Sequence, residues 1–153
     1  MISIPDILSV DDINLTLSSD LKSAAVQEVL FLLDGDPRIL NFEALCHAVE
    51  SRNAAAIAVP GAGICIAHGR TDAVSHLVLA VGRSDIGILC PEIQEPVNLL
   101  FTAGIPTTLD SEYLRIVGAL VRACGDPEIL PVLLETQDPR EFLDQLSSVE
   151  IRL

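Results

Sequence analysis

The sequence predicts a mixed α/β (α+β) fold in which a mixed β-sheet of about five strands carries helices on both faces. The first observation is composition: half of the 153 residues are hydrophobic, but the chain has no tryptophan, one tyrosine and four phenylalanines. A core of aliphatic side chains is typical of a sheet covered by helices rather than of an aromatic-rich sandwich. The second observation is the order of apolar patterns, which runs helix, helix, strands, helices. The length predicts a single domain, residues 1–153.

The first two predicted elements are helices. Ser19 or Asp20 can cap a helix that runs to Leu33, because both residues accept hydrogen bonds from free amides at a helix start. Asn41 can cap a second helix, which we expect to end near Arg52. In both segments apolar residues recur every three to four positions, as one buried helix face requires.

Extended segments follow in the middle of the chain. Each is a short apolar run bounded by Gly, Pro or polar residues, and the continuous run 76–82 is typical of a strand covered on both faces. The predicted strands are 54–59, 63–67, 76–82, 86–89 and 97–103, and Pro60-Gly61-Ala62 forms a turn between the first two.

Three helices complete the chain. Asp110 can cap an amphipathic helix that runs to Cys124 and is closed by Gly125. Two shorter helices are expected at 128–135 and from 139 to about 147.

The charge and the N-terminal sequence exclude several classes of function. A net charge of −13, from 22 acidic and 9 basic residues, leaves no basic stripe for nucleic acid. The first ten residues lack the pattern of a signal peptide, and no apolar run reaches the ~18 residues that span a bilayer. The four cysteines are scattered, as in a reduced compartment. We therefore expect a cytoplasmic protein without membrane insertion.

The segment Ala58–Arg70 carries the candidate chemistry. It reads A-V-P-G-A-G-I-C-I-A-H-G-R: two apolar runs around a Gly-rich turn, then His68, Gly69 and Arg70. An imidazole at the end of a strand can attack a phosphoryl group, Gly69 can let a donor approach the backbone, and Arg70 can bind phosphate oxygens with planar donors. This pattern predicts a phosphoryl-accepting site.

This segment resembles the active-site strand of the enzyme IIA domains of the phosphoenolpyruvate-dependent phosphotransferase system, in their fructose/mannitol and nitrogen-regulatory branch. Arg52, Gly61, Gly63, His68 and Arg70 all fall in the family's register without a gap. The segments 96–101 and 112–120 resemble a later strand and a later helix of the same family. The resemblance implies the IIA fructose/mannitol-type fold, with a mixed sheet between helices.

The resemblance also implies roles for four residues. His68 would accept the phosphoryl group from a histidine-containing phosphocarrier protein, while Arg52 and Arg70 would compensate its charge. Tyr113 stands where the family has a second active-site histidine, and Ala67 stands where it has a proline. A phenol can donate one hydrogen bond but cannot become a cation near neutral pH.

Two functions remain open. The first is a phosphorylated IIA protein, nitrogen-regulatory rather than sugar-specific, whose further partner is a regulatory target or a sugar-permease component. The second is an IIA-like interaction module that no longer accepts phosphate, which Tyr113, Ala67 and Ala58 favour. We expect no cofactor and no metal, because the spacing of the cysteines and histidines (Cys46, His47, Cys65, His68 and Cys90) fits no zinc-ligand pattern.

Overall fold

The computed structural model describes residues 2–51, 57–59, 63–91 and 95–151. The predicted strand residues 54–56 and the turn at 60–62 lie outside the described residues. The helices are α1 (Ile4–Ile7), α2 (Lys22–Leu30), α3 (Phe42–Ser51), α4 (Asp110–Gly125), α5 (Leu130–Glu135) and α6 (Pro139–Ile151). The strands are β1 (Ile13–Asn14), β2 (Ile57–Val59), β3 (Ile64–Arg70), β4 (Val78–Ile88) and β5 (Val97–Ile105). Two single 3₁₀ turns, Val10–Asp12 and Phe31–Leu33, complete the described elements.

The sheet is mixed, as predicted. Its order is β1-β4-β5-β3-β2. The β3–β5 and β1–β4 pairs are parallel, whereas β4–β5 and β2–β3 are antiparallel. The central pair β3–β5 leaves the carboxyl ends of both strands at one edge of the sheet, and the candidate site lies there.

The number of full strands is four rather than about five. The predicted strands 76–82 and 86–89 are one continuous strand, β4, with an irregular register between Arg83 and Ile88. Gly87 adopts φ 103° inside this irregularity, and its amide donates to the Ser84 hydroxyl at 3.0 Å. A glycine can take this backbone conformation without steric cost, so the strand bulges and continues. The remaining member of the sheet is β1, which has only two residues and lies at the edge beside β4.

Helices cover both faces of the sheet, which confirms the predicted layering. On one face, α1 and α4 to α6 pack on strand residues that include Ile66 and Phe101. On the other face, α2 and α3 pack on residues that include Ala67 and Leu100. Side chains alternate between the faces along each strand, so neighbouring residues of β3 belong to different layers of the core. Both layers are mainly aliphatic, as the composition requires.

The first long helix begins later than predicted. α2 starts at Lys22 because the preceding backbone pairs with Leu89 instead of turning into a helix. The Leu89 amide donates to the Asp20 carbonyl at 2.7 Å, and the Lys22 amide donates to the Leu89 carbonyl at 3.2 Å. The Ser19 hydroxyl, predicted as a cap, donates to the Glu28 carboxylate at 2.9 Å.

The remaining helix boundaries follow the sequence more closely. Asn41 caps α3, since its Oδ1 accepts from the Ala44 amide at 3.1 Å. α4 begins at Asp110 itself, with Leu109 in the cap position. α1 and β1 have no predicted counterpart, because four and two residues are too few for a periodic pattern. In the described part of the chain, no helix combines the length and apolar character needed to cross a bilayer.

Candidate functional site

His68 lies within β3, close to its end. The sequence predicts the end of this strand at Ala67, but parallel pairing with β5 continues through His68↔Ala103 to Arg70↔Ile105. The strand is longer because β5 itself runs on to Ile105 and offers backbone partners. His68 and Arg70 are two residues apart, so both side chains point to the face that carries α4.

Gly69, between them, faces the opposite layer. A Cβ atom on Gly69 would lie 2.6 Å from the Val49 amide nitrogen and 2.7 Å from the Ala48 carbonyl carbon. Gly104, its partner in register, is equally close to the Leu45 side chain, with a Cβ distance of 2.7 Å. The two glycines therefore let α3 approach the sheet. This differs from the interpretation that Gly69 opens the backbone to a phosphoryl donor.

Tyr113 of α4 lies beside His68. The ring centroids are 5.4 Å apart and the ring planes are inclined by 37°. Tyr113 is buried, and burial raises the pKa of its phenol above the ordinary value, so the group stays neutral near pH 7. Its hydroxyl makes no hydrogen bond to the described residues. The structure thus places a neutral phenol ring against His68, with its hydroxyl buried.

Arg70 is held at the mouth of the site by two acceptors. Its Nη2 lies 3.1 Å from Asp110 Oδ2 and donates to the Thr107 carbonyl at 2.9 Å. The Thr107 hydroxyl in turn donates to Asp72 Oδ1 at 2.8 Å. Arg70 and Asp110 are about half exposed, with side-chain exposures of 51% and 56%. This ion pair is therefore open to solvent and to an incoming ligand.

These groups surround one depression of about 350 Å³ between β3 and α4. Its polar groups comprise one imidazole, one guanidinium, one carboxylate and one phenol. Leu114, which is 66% exposed, and Ile105 add apolar surface. The lining residues are His68, Arg70, Ile105, Asp110, Tyr113 and Leu114.

Three of the four predicted site residues meet in this depression: His68, Arg70 and Tyr113. Arg52 lies outside the described residues. Asp110 belongs to the site as well, although its sequence position suggested only a helix cap. A signal was present, because Asp110 precedes Tyr113 by three residues and therefore shares its side of a helix.

Cys65 and Cys90 lie apart from His68. In the part of the chain that the structure describes, no three His, Cys, Asp or Glu side chains are grouped to hold an ion. Cys65 and Cys90 are buried in the layer under α2 and α3, whereas His68 points to the other face. Burial raises the pKa of the Cys65 thiol to about 11, so the thiol is protonated at neutral pH.

A family model and a fructose-specific relative match this chain over most of its length. Residues 6–149 match the model for "Phosphoenolpyruvate-dependent sugar phosphotransferase system, EIIA 2". A protein of Haloferax volcanii named "PTS system fructose-specific EIIA component" is 31% identical over 129 residues, which are 84% of each chain.

Solved structures share the fold at lower identity. The nitrogen regulatory protein IIA-Ntr from Neisseria meningitidis superposes with a TM-score of 0.83, at 23% identity, over 94% of this chain and 98% of that one. The enzyme IIA for mannitol of Escherichia coli, solved in complex with its phosphorylated enzyme IIB, gives a TM-score of 0.75 at 18% identity, over 92% and 97% of the two chains.

Proposed function

Because this chain belongs to the EIIA 2 family of the sugar phosphotransferase system, we propose that it accepts a phosphoryl group on His68 from a histidine-containing phosphocarrier protein. The observation that carries the proposal is the depression in which His68, Arg70 and Tyr113 meet. A nucleophile, a cation and a hydrogen-bond donor around one open space are the groups that phosphoryl transfer needs. In this proposal the protein acts in the cytoplasm.

The geometry favours Nε2 of His68 as the attacking atom. His68 is partly exposed, but its Nδ1 has no accessible surface. In-line attack requires a ring nitrogen with a lone pair directed at the phosphorus. Because the buried Nδ1 cannot meet the donor, Nε2 is the nitrogen left to attack. The Nε2 lone pair forms the new N–P bond while the N–P bond of the donor breaks and its electron pair returns to the donor imidazole. The proton on Nδ1 stays in place.

Positioning and charge compensation would supply most of the rate. The transferred group carries a charge of about −1.5 to −2, if phosphohistidine resembles other phosphorylated residues. Among the described residues, Arg70 is the cation that lines the depression. The Tyr113 hydroxyl is buried, so a shift of that side chain would let it donate one hydrogen bond to a phosphoryl oxygen. Arg52, from the end of the second predicted helix, is proposed to supply a second positive charge.

Two proposals differ in what receives the phosphoryl group from His68. The Haloferax volcanii relative named as fructose-specific favours onward transfer to an enzyme IIB component of a sugar permease. The nitrogen-regulatory role expected from the sequence is the competing proposal, since likeness to IIA-Ntr at 23% identity supports the fold alone. Incubation of the phosphorylated protein with a fructose-type enzyme IIB separates them, because only the first proposal expects the label to move to IIB.

A second candidate function is an interaction module that does not accept phosphate. Tyr113 favours it, because a neutral phenol stands where the resemblance expects a histidine that could carry a positive charge. In that case the depression and the exposed Leu114 would serve only to bind a protein.

Intact-mass spectrometry after incubation with phosphoenolpyruvate, enzyme I and a histidine phosphocarrier tests the proposal. We expect an acid-labile phosphoryl adduct on the parent protein and none on His68→Ala. His76→Ala is the matched control, because His76 is exposed and its Nδ1 lies 2.8 Å from the Ser75 hydroxyl, outside the depression. An adduct that persists in His68→Ala contradicts the assignment, and no adduct with several carriers favours the interaction module.

A further inference from the structure

Arg70, the cation among the described lining residues, is already paired with a carboxylate in the same depression. Arg70 Nη2 lies 3.1 Å from Asp110 Oδ2, and both side chains line the space that His68 faces. The hydrogen bond that Arg70 donates to the Thr107 carbonyl does not change this balance, because a carbonyl carries no net charge. The six lining residues therefore contain one positive and one negative charge.

A phosphoryl group on His68 would change this balance. It would add about −1.5 to −2 charge next to the Asp110 carboxylate. Like charges that share a small site repel, and a carboxylate cannot donate a hydrogen bond to phosphate while it is ionised. Among the described residues of the depression, Arg70 can relieve this repulsion by turning from Asp110 towards the phosphoryl oxygens, which it can bind with two parallel donors.

We propose that Asp110 is a positioning residue that competes with the phosphoryl group for Arg70. This inference rests on the proposed phosphorylation of His68. In the unphosphorylated protein Asp110 holds the guanidinium at the mouth of the depression, ready for the incoming group. In the phosphorylated protein Asp110 loses its partner and repels the phosphoryl group. Asp110 thus keeps phosphohistidine less stable and favours onward transfer to a recipient.

A simpler explanation of Asp110 is its place in the first turn of α4, where an acidic side chain stabilises the helix. Glu112 provides the matched comparison. It lies in the same first turn, but it lines a different cavity, with Ile2, Ser111 and Arg115. The helix-end effect is common to both carboxylates, whereas the effect on phosphohistidine belongs to Asp110 alone.

The test measures the phosphorylated fraction at equilibrium with a phosphorylated histidine carrier, by intact mass. We expect Asp110→Asn to raise the ratio of phosphorylated to free protein about two- to five-fold, as expected from an exposed ion pair of up to about 1 kcal/mol. Glu112→Gln should leave this ratio unchanged, and Asp110→Glu should return it towards the parent value. Arg70→Gln should lower the ratio, which is the opposite direction.

Each result decides the inference. An unchanged ratio in Asp110→Asn, or the same rise in Glu112→Gln, overturns it, as does a rise in Arg70→Gln. If the parent protein takes up no phosphoryl group while a known IIA protein in the same mixture does, the proposed function fails and the inference fails with it. If the parent is phosphorylated and Asp110→Asn behaves like the parent, only the role of Asp110 is wrong.

Discussion

The phenol ring of Tyr113 lies against the imidazole of His68, with ring centroids 5.4 Å apart and planes inclined by 37°. Two elements create this contact: β3, whose pairing with β5 continues past His68, and α4, which turns Tyr113 towards the sheet. The pair combines an apolar contact with a hydroxyl that makes no hydrogen bond to the described residues. Removing that hydroxyl therefore separates stability from function.

The Tyr113→Phe variant should fold at least as stably as the parent and be phosphorylated less. Loss of an unpaired buried hydroxyl is neutral or stabilising, by up to about 1 kcal/mol, and urea unfolding measures it. If the hydroxyl binds the phosphoryl group, the phosphorylated fraction should fall about two- to ten-fold, the equivalent of one hydrogen bond. An unchanged fraction would show that the phenol takes no part. Tyr113→His should raise the fraction instead, because an imidazole can become a cation.

Gly69→Ala should destabilise the fold by about 2–3 kcal/mol or more. The new methyl group would lie 2.6 Å from the Val49 amide nitrogen, and a backbone atom in a packed helix cannot move aside like a flexible side chain. Gly125→Ala is the control: nothing lies within 4 Å of its Cβ position, and alanine suits the end of α4. Urea unfolding of both variants checks the prediction, and equal stabilities would show that α3 packs on β3 less closely than described.

Arg83→Met should cost about 2–4 kcal/mol in the free energy of unfolding. Arg83 is 1% exposed, and its Nη1 donates to the carbonyls of Leu133 at 3.1 Å and Thr136 at 2.6 Å, at the end of α5. Methionine fills similar space but leaves both carbonyls without this donor. Arg122→Met, at an exposed position of α4, should change stability by less than about 0.5 kcal/mol. Thermal or urea unfolding measures both variants. Equal free energies of unfolding for Arg83→Met and Arg122→Met would show that the hydrogen bonds from Arg83 to the end of α5 do not stabilise the fold.

Asp36→Asn should lower the free energy of unfolding, and the loss should depend on pH. Hydrogen bonds from Arg38, at 2.7 Å and 3.0 Å, hold the pKa of the Asp36 carboxyl below its ordinary value. A carboxyl with a lowered folded-state pKa adds stability above its unfolded pKa, near 4, and loses it as the pH falls through the folded value. We expect the parent to exceed the variant by roughly 1–2 kcal/mol at pH 7 and by much less near pH 3.

Urea unfolding at both pH values measures that difference. Asp34→Asn is a suitable control, since Asp34 is an exposed carboxylate two residues away. A gap between Asp36→Asn and the parent that stays constant from pH 7 to pH 3 would mean that the ion pair is not its source.

Several features of the fold are local in origin and were predictable. Asn41 caps α3 because its side chain reaches an amide only three residues ahead. The alternation of apolar residues in β3 places Ile66 in one layer and Ala67 in the other. The continuity of β4 was not predictable in the same way. Glycine and polar residues such as those around Gly87 are typical both of a bulge within one strand and of a turn between two strands.

The candidate site divides along the same line. The sequence alone determined that His68 and Arg70 follow one apolar strand, two residues apart, and that Tyr113 lies on an amphipathic helix, because periodicity acts over a few residues. The continuation of the strand through Arg70, which puts His68 and Arg70 on one face, came from pairing with β5. Only the tertiary structure decided that Asp110 pairs with Arg70 and that the Tyr113 ring contacts His68. It alone also showed that α3 packs directly against the backbone at Gly69. These contacts join elements far apart in the chain, so their distances depend on how the helices pack on the sheet, and no local pattern specifies that packing.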